Sequence, residues 1–368
     1  MADMRGAYGR GNRHQQTEMM PMPGRGGHQP PPRRPPAGGP PRGHPTPPGR
    51  PPRRKRWGFR RVVGVIMLVF LLFIASVWLY LEFSINRVDA LADYEGRPAA
   101  AEGTNWLIVG SDSRENLDAE ARKRLHTGGP EGNRTDTILL AHIPDNDTKP
   151  TLLSFPRDLN VEIPGHGVNK INAAFSLGGP QLLAQTVEQA SGLHVDHYAE
   201  IGFGGFADVV DAIGGVTMDV PPGMVDGSNG VEIPEGKQEL DGSQALSFVR
   251  MRKSEATPRS DLDRVVNQRK FMGAMASEMA SPATLLNPFD LFPLLGAAPD
   301  ALSIDEGDHL HNLVGLGWAL RGISSGGMVN TTVPVSSGAA TSFDQAKAQQ
   351  LFEALRNDTE VPDSLIED

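Results

Sequence analysis

Along this chain, apolar and polar positions change pattern once, sharply. The segment VVGVIMLVFLLFIASVWLYL at 62–81 is twenty residues without a charge. As a helix it is long enough to cross a hydrocarbon core of about 30 Å. It begins too late and runs too long for a secretory leader, and the bulky LYLEFSIN that follows offers no small-residue cleavage site. The pattern therefore predicts a retained transmembrane helix over 62–81.

Beyond it the spacing is that of a globular domain. After a connecting segment at 82–103, TNWLIVGSDS predicts a buried strand ending in a polar turn, and TDTILLAHI and TLLSFP predict two more. PQLLAQTVEQASG has helical spacing, with Pro180 early and Gly192 at its end, and GFADVVDAIGG at 205–215 is a second short helix closed by glycines. VTMDV, ALSFVRMR and MVNTTVPV are predicted as strands, DRVVNQRKFMGAMASEM and FDQAKAQQLFEALRN as helices. Strands alternating with helices predict one α/β domain over 104–368, a sheet covered by helices. The apolar stretch LLNPFDLFPLLG at 285–296 suits either a core helix broken by proline or a segment lying against lipid, and the core helix is the plainer expectation.

Charge divides where the hydropathy does. Residues 1–61 hold fourteen Lys and Arg against two acids, which leaves 21 bases and 42 acids for the remainder of a chain whose net charge is −9. The basic part is a Pro/Gly/Arg mixture (PPPRRPPAGGPPRGHPTPPGRPPRR) with too few apolar residues to form a core, and is expected to be disordered. It suits a polybasic arm on anionic lipid heads, a Pro-rich ligand, or a solvated tail that enforces topology. RRKRWGFRR at 53–61 abuts the apolar run and nothing comparable follows it, which predicts a cytoplasmic N-terminus and an acidic domain facing outward. Cysteine is absent, which excludes disulfides and thiol chemistry.

Several common chemistries are missing. GVEIPEGKQ has the wrong glycine spacing for a P-loop and no Ser or Thr after Lys237. GFGGF is no dinucleotide fingerprint, and VGSDS is no nucleophile elbow. HVDH at 194–197 lacks the companions of a zinc site. No helix-turn-helix pattern is visible in the basic part, so nucleic acid is not an expected partner.

What remains is a set of aspartates and arginines at element ends. Asp112 and Arg114 follow the first strand, where α/β sheets place ligands. Arg134 and Asp136 open the second strand, and Arg157 and Asp158 close the third. Arg250 and Arg252 share one face if FVRMR is a strand, and Arg264 and Gln268 are one helical turn apart. Singly, each fits a cap, an ion pair or a solvated face. Together, five or six guanidinium groups converging in so acidic a domain call for an anion, and the planar fork of arginine matches phosphate oxygens. Two carboxylates at neighbouring strand ends suit Mg²⁺ shared with a phosphate.

These segments carry a resemblance. NWLIVGSDSR, NRTDTILL, LLSFPRDLNVEIPGHGVNKINAAFSLGG, DHYAEIGFGGFADVVDAIGGV and LDGSQALSFVRMR…DLDRVVNQRKF resemble, in that order, the LytR-CpsA-Psr family, over about 104–330. The resemblance implies a mixed central sheet flanked by helices, with an apolar tunnel that would involve residues of 180–215 and 271–296. It implies a phosphotransferase that moves an anionic glycopolymer from a polyprenyl diphosphate carrier onto peptidoglycan. It puts the metal, Mg²⁺ or Mn²⁺, on Asp112 and Asp136, and the diphosphate on Arg157, Arg250, Arg252 and Arg264 with Gln268 beside them, Arg114 and Arg134 lying within the matched motifs. Catalysis would then rest on Asp112, Asp136, Arg157 and Arg252, with either aspartate able to take the acceptor's proton. Two departures stand out: Asp263 occupies the place of a usual glycine and Asn267 that of a usual arginine. The insert ENLDAEARKRLHTGGPEGN is expected to be a flexible flap at the acceptor entry. A polyprenyl-diphosphate pyrophosphatase would use the same residues with water as acceptor, and a membrane-bound transcriptional regulator is the remaining alternative.

Overall fold

A computed structural model describes residues 58–112, 120, 125, 135–226, 230–251, 254–257, 261–336 and 342–366. Of the tail expected to be disordered, residues 1–61, residues 1–57 lie outside them, and 59–61 already belong to a helix. The apolar run forms helix α1, Phe59–Ser84, with its large hydrophobic side chains exposed along its length. It is the one helix among the described residues long and apolar enough to cross a membrane.

The centre of the domain is a seven-stranded mixed sheet in the order β1-β10-β7-β2-β3-β4-β11. These strands are β1 (Asn86–Val88), β2 (Thr104–Ser111), β3 (Thr135–Ile143), β4 (Thr151–Phe155), β7 (His197–Gly202), β10 (Leu302–Asp305) and β11 (Val329–Thr332). β2 pairs parallel to β7 and antiparallel to β3, and β3 antiparallel to β4. Both faces are covered, which explains why WLIV reads as an unbroken apolar run. Leu107 and Val109 point to one side with Leu140, Leu153 and Tyr198, under α2 (Ile171–Ser191) and α10 (Gln345–Arg356). Trp106 and Ile108 point to the other with Leu139 and Leu152, under α8 (Leu310–Leu320). A second apolar cluster joins α3 (Phe203–Ala212), α4 (Gly242–Arg250), α5 (Asp261–Met279) and α7 (Pro288–Ala301) to the hairpin β8–β9 (Val216–Val220, Gly236–Leu240). The short elements are the hairpin β5–β6 (Asn160–Ile163, Gly167–Lys170), α6 (Pro282–Leu286) and α9 (Gly322–Ser325).

Most predicted strands and helices stand where the pattern put them, and four expectations need correcting. ALSFVRMR is not a strand: residues 242–250 are helix α4. Asp241 accepts from the Gln244 backbone N–H at 2.8 Å, and the Gln244 side chain accepts from the Asp241 N–H at 3.2 Å, a capping box that starts a helix. Arg250 is therefore the last helical residue and not part of a strand, and Arg252 lies outside the described residues. The helix expected from Pro180 begins nine residues earlier, at Ile171, and breaks at Gly178 and Gly179, where φ is 66° at the second glycine. The segment 82–103 is more than a connection, since β1 pairs parallel with β10 at the sheet edge. Within it Arg97 donates from Nε to both oxygens of buried Glu188 at 3.0 and 3.2 Å, and from Nη2 to the Val195 carbonyl at 2.9 Å. Finally, 285–296 is core only in part: Leu294 is buried in the second cluster, but Leu286, Phe289 and Phe292 are 83, 84 and 57% exposed, and Pro293 lies inside a continuous α7.

Candidate functional site

Four strand ends and two helix ends meet at one edge of the sheet. β2 finishes at Ser111 and is followed by Asp112, and antiparallel β3 starts beside it with Thr135 and Asp136. A bulge at Gly110/Ser111 re-aims the end of β2, and buried Thr135 fixes it by donating to the Gly110 carbonyl at 3.0 Å. The two half-buried carboxylates are thereby held on adjacent strands. β4 leaves the same edge through Phe155-Pro156 into Arg157. Parallel β7 ends there too, Gly202 standing in register with Ser111, and Phe203 opens α3.

The guanidinium groups are built in from several directions. Arg157 Nη1 donates to Asp136 Oδ1 at 2.6 Å, and its Nε lies 3.5 Å from Asp158 Oδ2. Lys170 steadies this pair from the base of α2, with Nζ 2.7 Å from Asp158 Oδ1, while the Asn172 N–H donates to the Arg157 carbonyl at 3.3 Å. SFPRD and KIN are thus two halves of one brace, a relation that sequence spacing does not reveal. Arg264, on α5, is 2% exposed and reaches the Asp136 backbone carbonyl with Nη2 at 3.5 Å. One turn later Gln268 Nε2 donates to the Val249 carbonyl at 3.1 Å, fastening α5 to the end of α4 just before Arg250. The Arg250 guanidinium lies over the Phe203 ring, 4.7 Å from its centroid. Buried Gln268 Oε1 has no hydrogen-bond partner among the described residues, an acceptor that a hydroxyl donor would satisfy.

Asp112, Asp136, Arg157, Arg250, Arg264 and Gln268 therefore belong to one edge, as expected. Arg114, Arg134 and Arg252 lie outside the described residues, as does nearly all of the expected flap. The described part of that insert includes Leu125, which is buried against Phe203, Ala207 and Leu246 on α3 and α4. α5 carries a second buried guanidinium, Arg269, which is 4% exposed and which no spacing signal marks out. Asn267, also buried, puts a neutral amide where the family pattern has a cation.

The donor set suits a small hard cation. Mg²⁺ takes one or two carboxylates and completes its shell with water and substrate phosphate. Among the described residues no group of three or more His, Cys, Asp or Glu forms. HVDH is structural: His197 Nδ1 is hydrogen-bonded to Asp308 and its ring lies 4.5 Å from Trp106, and His194 Nδ1 is 2.9 Å from the Pro98 carbonyl.

Comparison with known proteins settles the family. The LytR_cpsA_psr family profile matches residues 82–359, nearly the whole domain beyond α1. The chain belongs to the LytR-CpsA-Psr family. Among its relatives, the "probable cell wall biosynthesis protein LcpB" of Corynebacterium glutamicum is 46% identical over 318 residues, 83% of this chain and 74% of that one. A protein of Oceanobacillus iheyensis named polyisoprenyl-teichoic acid–peptidoglycan teichoic acid transferase TagU is 33% identical over 267 residues, 66% of this chain and 76% of that one. The LytR-Csp2A-Psr enzyme of Actinomyces oris superposes with a TM-score of 0.57 at 22% identity, covering 74% of this chain and 96% of its own. TagT bound to LI-WTA superposes with a TM-score of 0.52 at 25% identity, again over 74% and 96%. The family's mixed sheet flanked by helices is the fold described above.

Proposed function

We propose that this protein transfers an anionic glycopolymer from a polyprenyl diphosphate carrier to a hydroxyl of peptidoglycan, forming a phosphodiester in cell-wall biogenesis. The observation that carries it is the convergence of Arg157, Arg250 and Arg264 on the strand ends that hold Asp112 and Asp136. The names of TagU and of the TagT complex point to the same class of donor and acceptor.

Arg157, braced by Asp136 and Asp158, and Arg250, held over Phe203, present guanidinium forks to the diphosphate oxygens. Arg264 adds a fixed positive charge from below. Because these groups are held in place before substrate arrives, they meet the charge developing on the phosphoryl oxygens without reorganising. The acceptor oxygen attacks the glycan-bearing phosphorus, the bond from that phosphorus to the bridging oxygen breaks, and polyprenyl monophosphate leaves. The acceptor's proton passes to one carboxylate of the Asp112–Asp136 pair. Mg²⁺ or Mn²⁺ held by that pair would supply further charge neutralisation on the phosphates. Positioning and electrostatics account for most of the rate in phosphoryl transfer of this kind. The basic flank before α1 favours a cytoplasmic N-terminus, which puts the domain of this reading on the outer side of the membrane, with peptidoglycan.

The test incubates the full chain in lipid nanodiscs with a synthetic polyprenyl-diphosphate oligosaccharide, a peptidoglycan oligomer and Mg²⁺, and follows product mass, with EDTA and Arg250→Ala as controls. A glycan–peptidoglycan phosphodiester lost in both controls is expected. Free glycan phosphate without conjugate would instead make the protein a pyrophosphatase.

A further inference from the structure

The exposed apolar side chains of α6 and α7 are placed too regularly to be incidental. Two contacts fix α7 along α1. Near its C-terminal end the Pro299 carbonyl accepts from Asn86 Nδ2 at 3.3 Å, just beyond the domain end of α1. One and a half turns earlier along α7 is Leu294, which is buried. Two residues before it, the Phe292 ring meets Phe73 edge-on, with centroids 6.4 Å apart. From Pro299 back to Phe292, α7 therefore runs beside α1 from the domain toward the middle of the apolar run. Phe289, one turn earlier on α7, and Leu286, at the end of α6, are the most exposed of the set, at 84 and 83%.

Depth follows from helix geometry. Phe73 lies eight residues inside Leu81, the outer end of the apolar run, or about 12 Å at 1.5 Å per residue. Half of a hydrocarbon core is about 15 Å, and peripheral amphipathic helices sink only about 5–10 Å. A ring in contact with Phe73 is thus in acyl chains, not among headgroups. The charge pattern agrees. Asp290, the only charged residue of the first two turns of α7, stands one turn from buried Leu294 on the protein side, and Asn287 Nδ2 donates to it at 2.7 Å. At the outer end of α1, Trp78, Tyr80 and Phe83 are exposed, an aromatic set of the kind that marks a membrane boundary.

The geometry points to a second membrane-embedded element: α6 and the N-terminal half of α7 lie within the outer leaflet beside α1, with lipid acyl chains covering Leu286, Phe289 and Phe292. This rests on α1 spanning the bilayer. The catalytic domain is then partly immersed, not merely tethered. Its immersed helix packs on α3, where a Cβ on Gly205 would lie 2.2 Å from the Ala301 Cα, and α3 begins at Phe203 under Arg250. The diphosphate cradle is thereby braced against the leaflet that holds an isoprenoid carrier.

The absence of cysteine allows the test on the full chain. Single cysteines replace Leu286, Phe289, Val69 on α1 and Gln349 on α10, each is spin-labelled, and the protein is placed one copy per nanodisc of phosphatidylethanolamine and phosphatidylglycerol. Collision with oxygen, which concentrates in lipid, is compared with collision with a water-soluble nickel chelate. The logarithm of the oxygen-to-nickel ratio is expected to be positive at 286, 289 and 69 and negative at 349. A negative value at 286 and 289 with a positive one at 69 would overturn the immersion while leaving the anchor. Low collision with both reagents at 286 and 289 would overturn it too, since protein and not lipid would then cover the face. A negative value at 69 would remove the span and the inference with it.

Discussion

Arg157 separates a catalytic cradle from an ordinary surface ion pair. Its Nη1–Oδ1 contact with Asp136 is 2.6 Å, but the two side chains are 21 and 24% exposed, and solvent screens a pair of that kind. Removing it should cost only about 0–1 kcal/mol of stability. If the same guanidinium also donates to a phosphate oxygen in the transition state, its loss removes a charged hydrogen bond worth about 1.5–3 kcal/mol, which is roughly a 10- to 150-fold fall in kcat/KM. Arg157→Ala should therefore lower kcat/KM by that factor in the conjugate-forming assay, with little movement of the thermal midpoint. Arg157→Lys should restore stability and recover activity only in part, because a point charge cannot form the bidentate fork. An activity loss below about threefold, well under the range set by one charged hydrogen bond, would refute the assignment. So would a fall in activity that simply tracks unfolding.

Four further outcomes are expected. His142 is buried, with Nδ1 2.9 Å from Asn105 Oδ1 and Nε2 2.9 Å from Asp358 Oδ1; burial outweighs the attraction of Asp358, Asp196 and Asp145 and holds its pKa below 6.5. The unfolded chain then takes up the proton first, so stability should be full above about pH 6.5 and fall as pH drops below it, with a shallower slope in His142→Asn by thermal melts. Arg97→Ala leaves the Glu188 carboxylate buried at 1% exposure without its guanidinium, and should cost about 3–5 kcal/mol in urea unfolding. Asp241→Ala removes the cap of α4 and should cost about 0.5–2 kcal/mol, with a larger proportional effect on activity than on stability because α4 carries Arg250. Gly242→Ala puts a Cβ 2.3 Å from the Ala207 carbonyl oxygen, and should destabilise by about 1–3 kcal/mol while parting α4 from α3.

The sequence by itself determined whatever depends on local spacing. The apolar run at 62–81, the doubly buried strands β2, β3 and β4, and the helices of 261–279 and 345–356 were all legible, because a face covered on both sides or a 3.6-residue period is written into adjacent positions. The aspartates and arginines at strand ends were legible as candidates for the same reason: each sits where a strand pattern stops. One miss was local: FVR became the end of a helix because the Asp241–Gln244 box, seven residues upstream of Phe248, outweighs the β-propensity of Phe and Val. Three decisions were tertiary. Arg97 entered the core only because Glu188, ninety-one positions away, is buried beside it. Arg157 and Arg264 meet through Asp136 only once β3, β4 and α5 are assembled, an arrangement no local period encodes. And Leu286, Phe289 and Phe292, which composition alone would send to a core with their neighbour Leu294, stand exposed where α7 is held along α1; hydrophobicity states that a side chain leaves water, and only the packed chain decides what receives it.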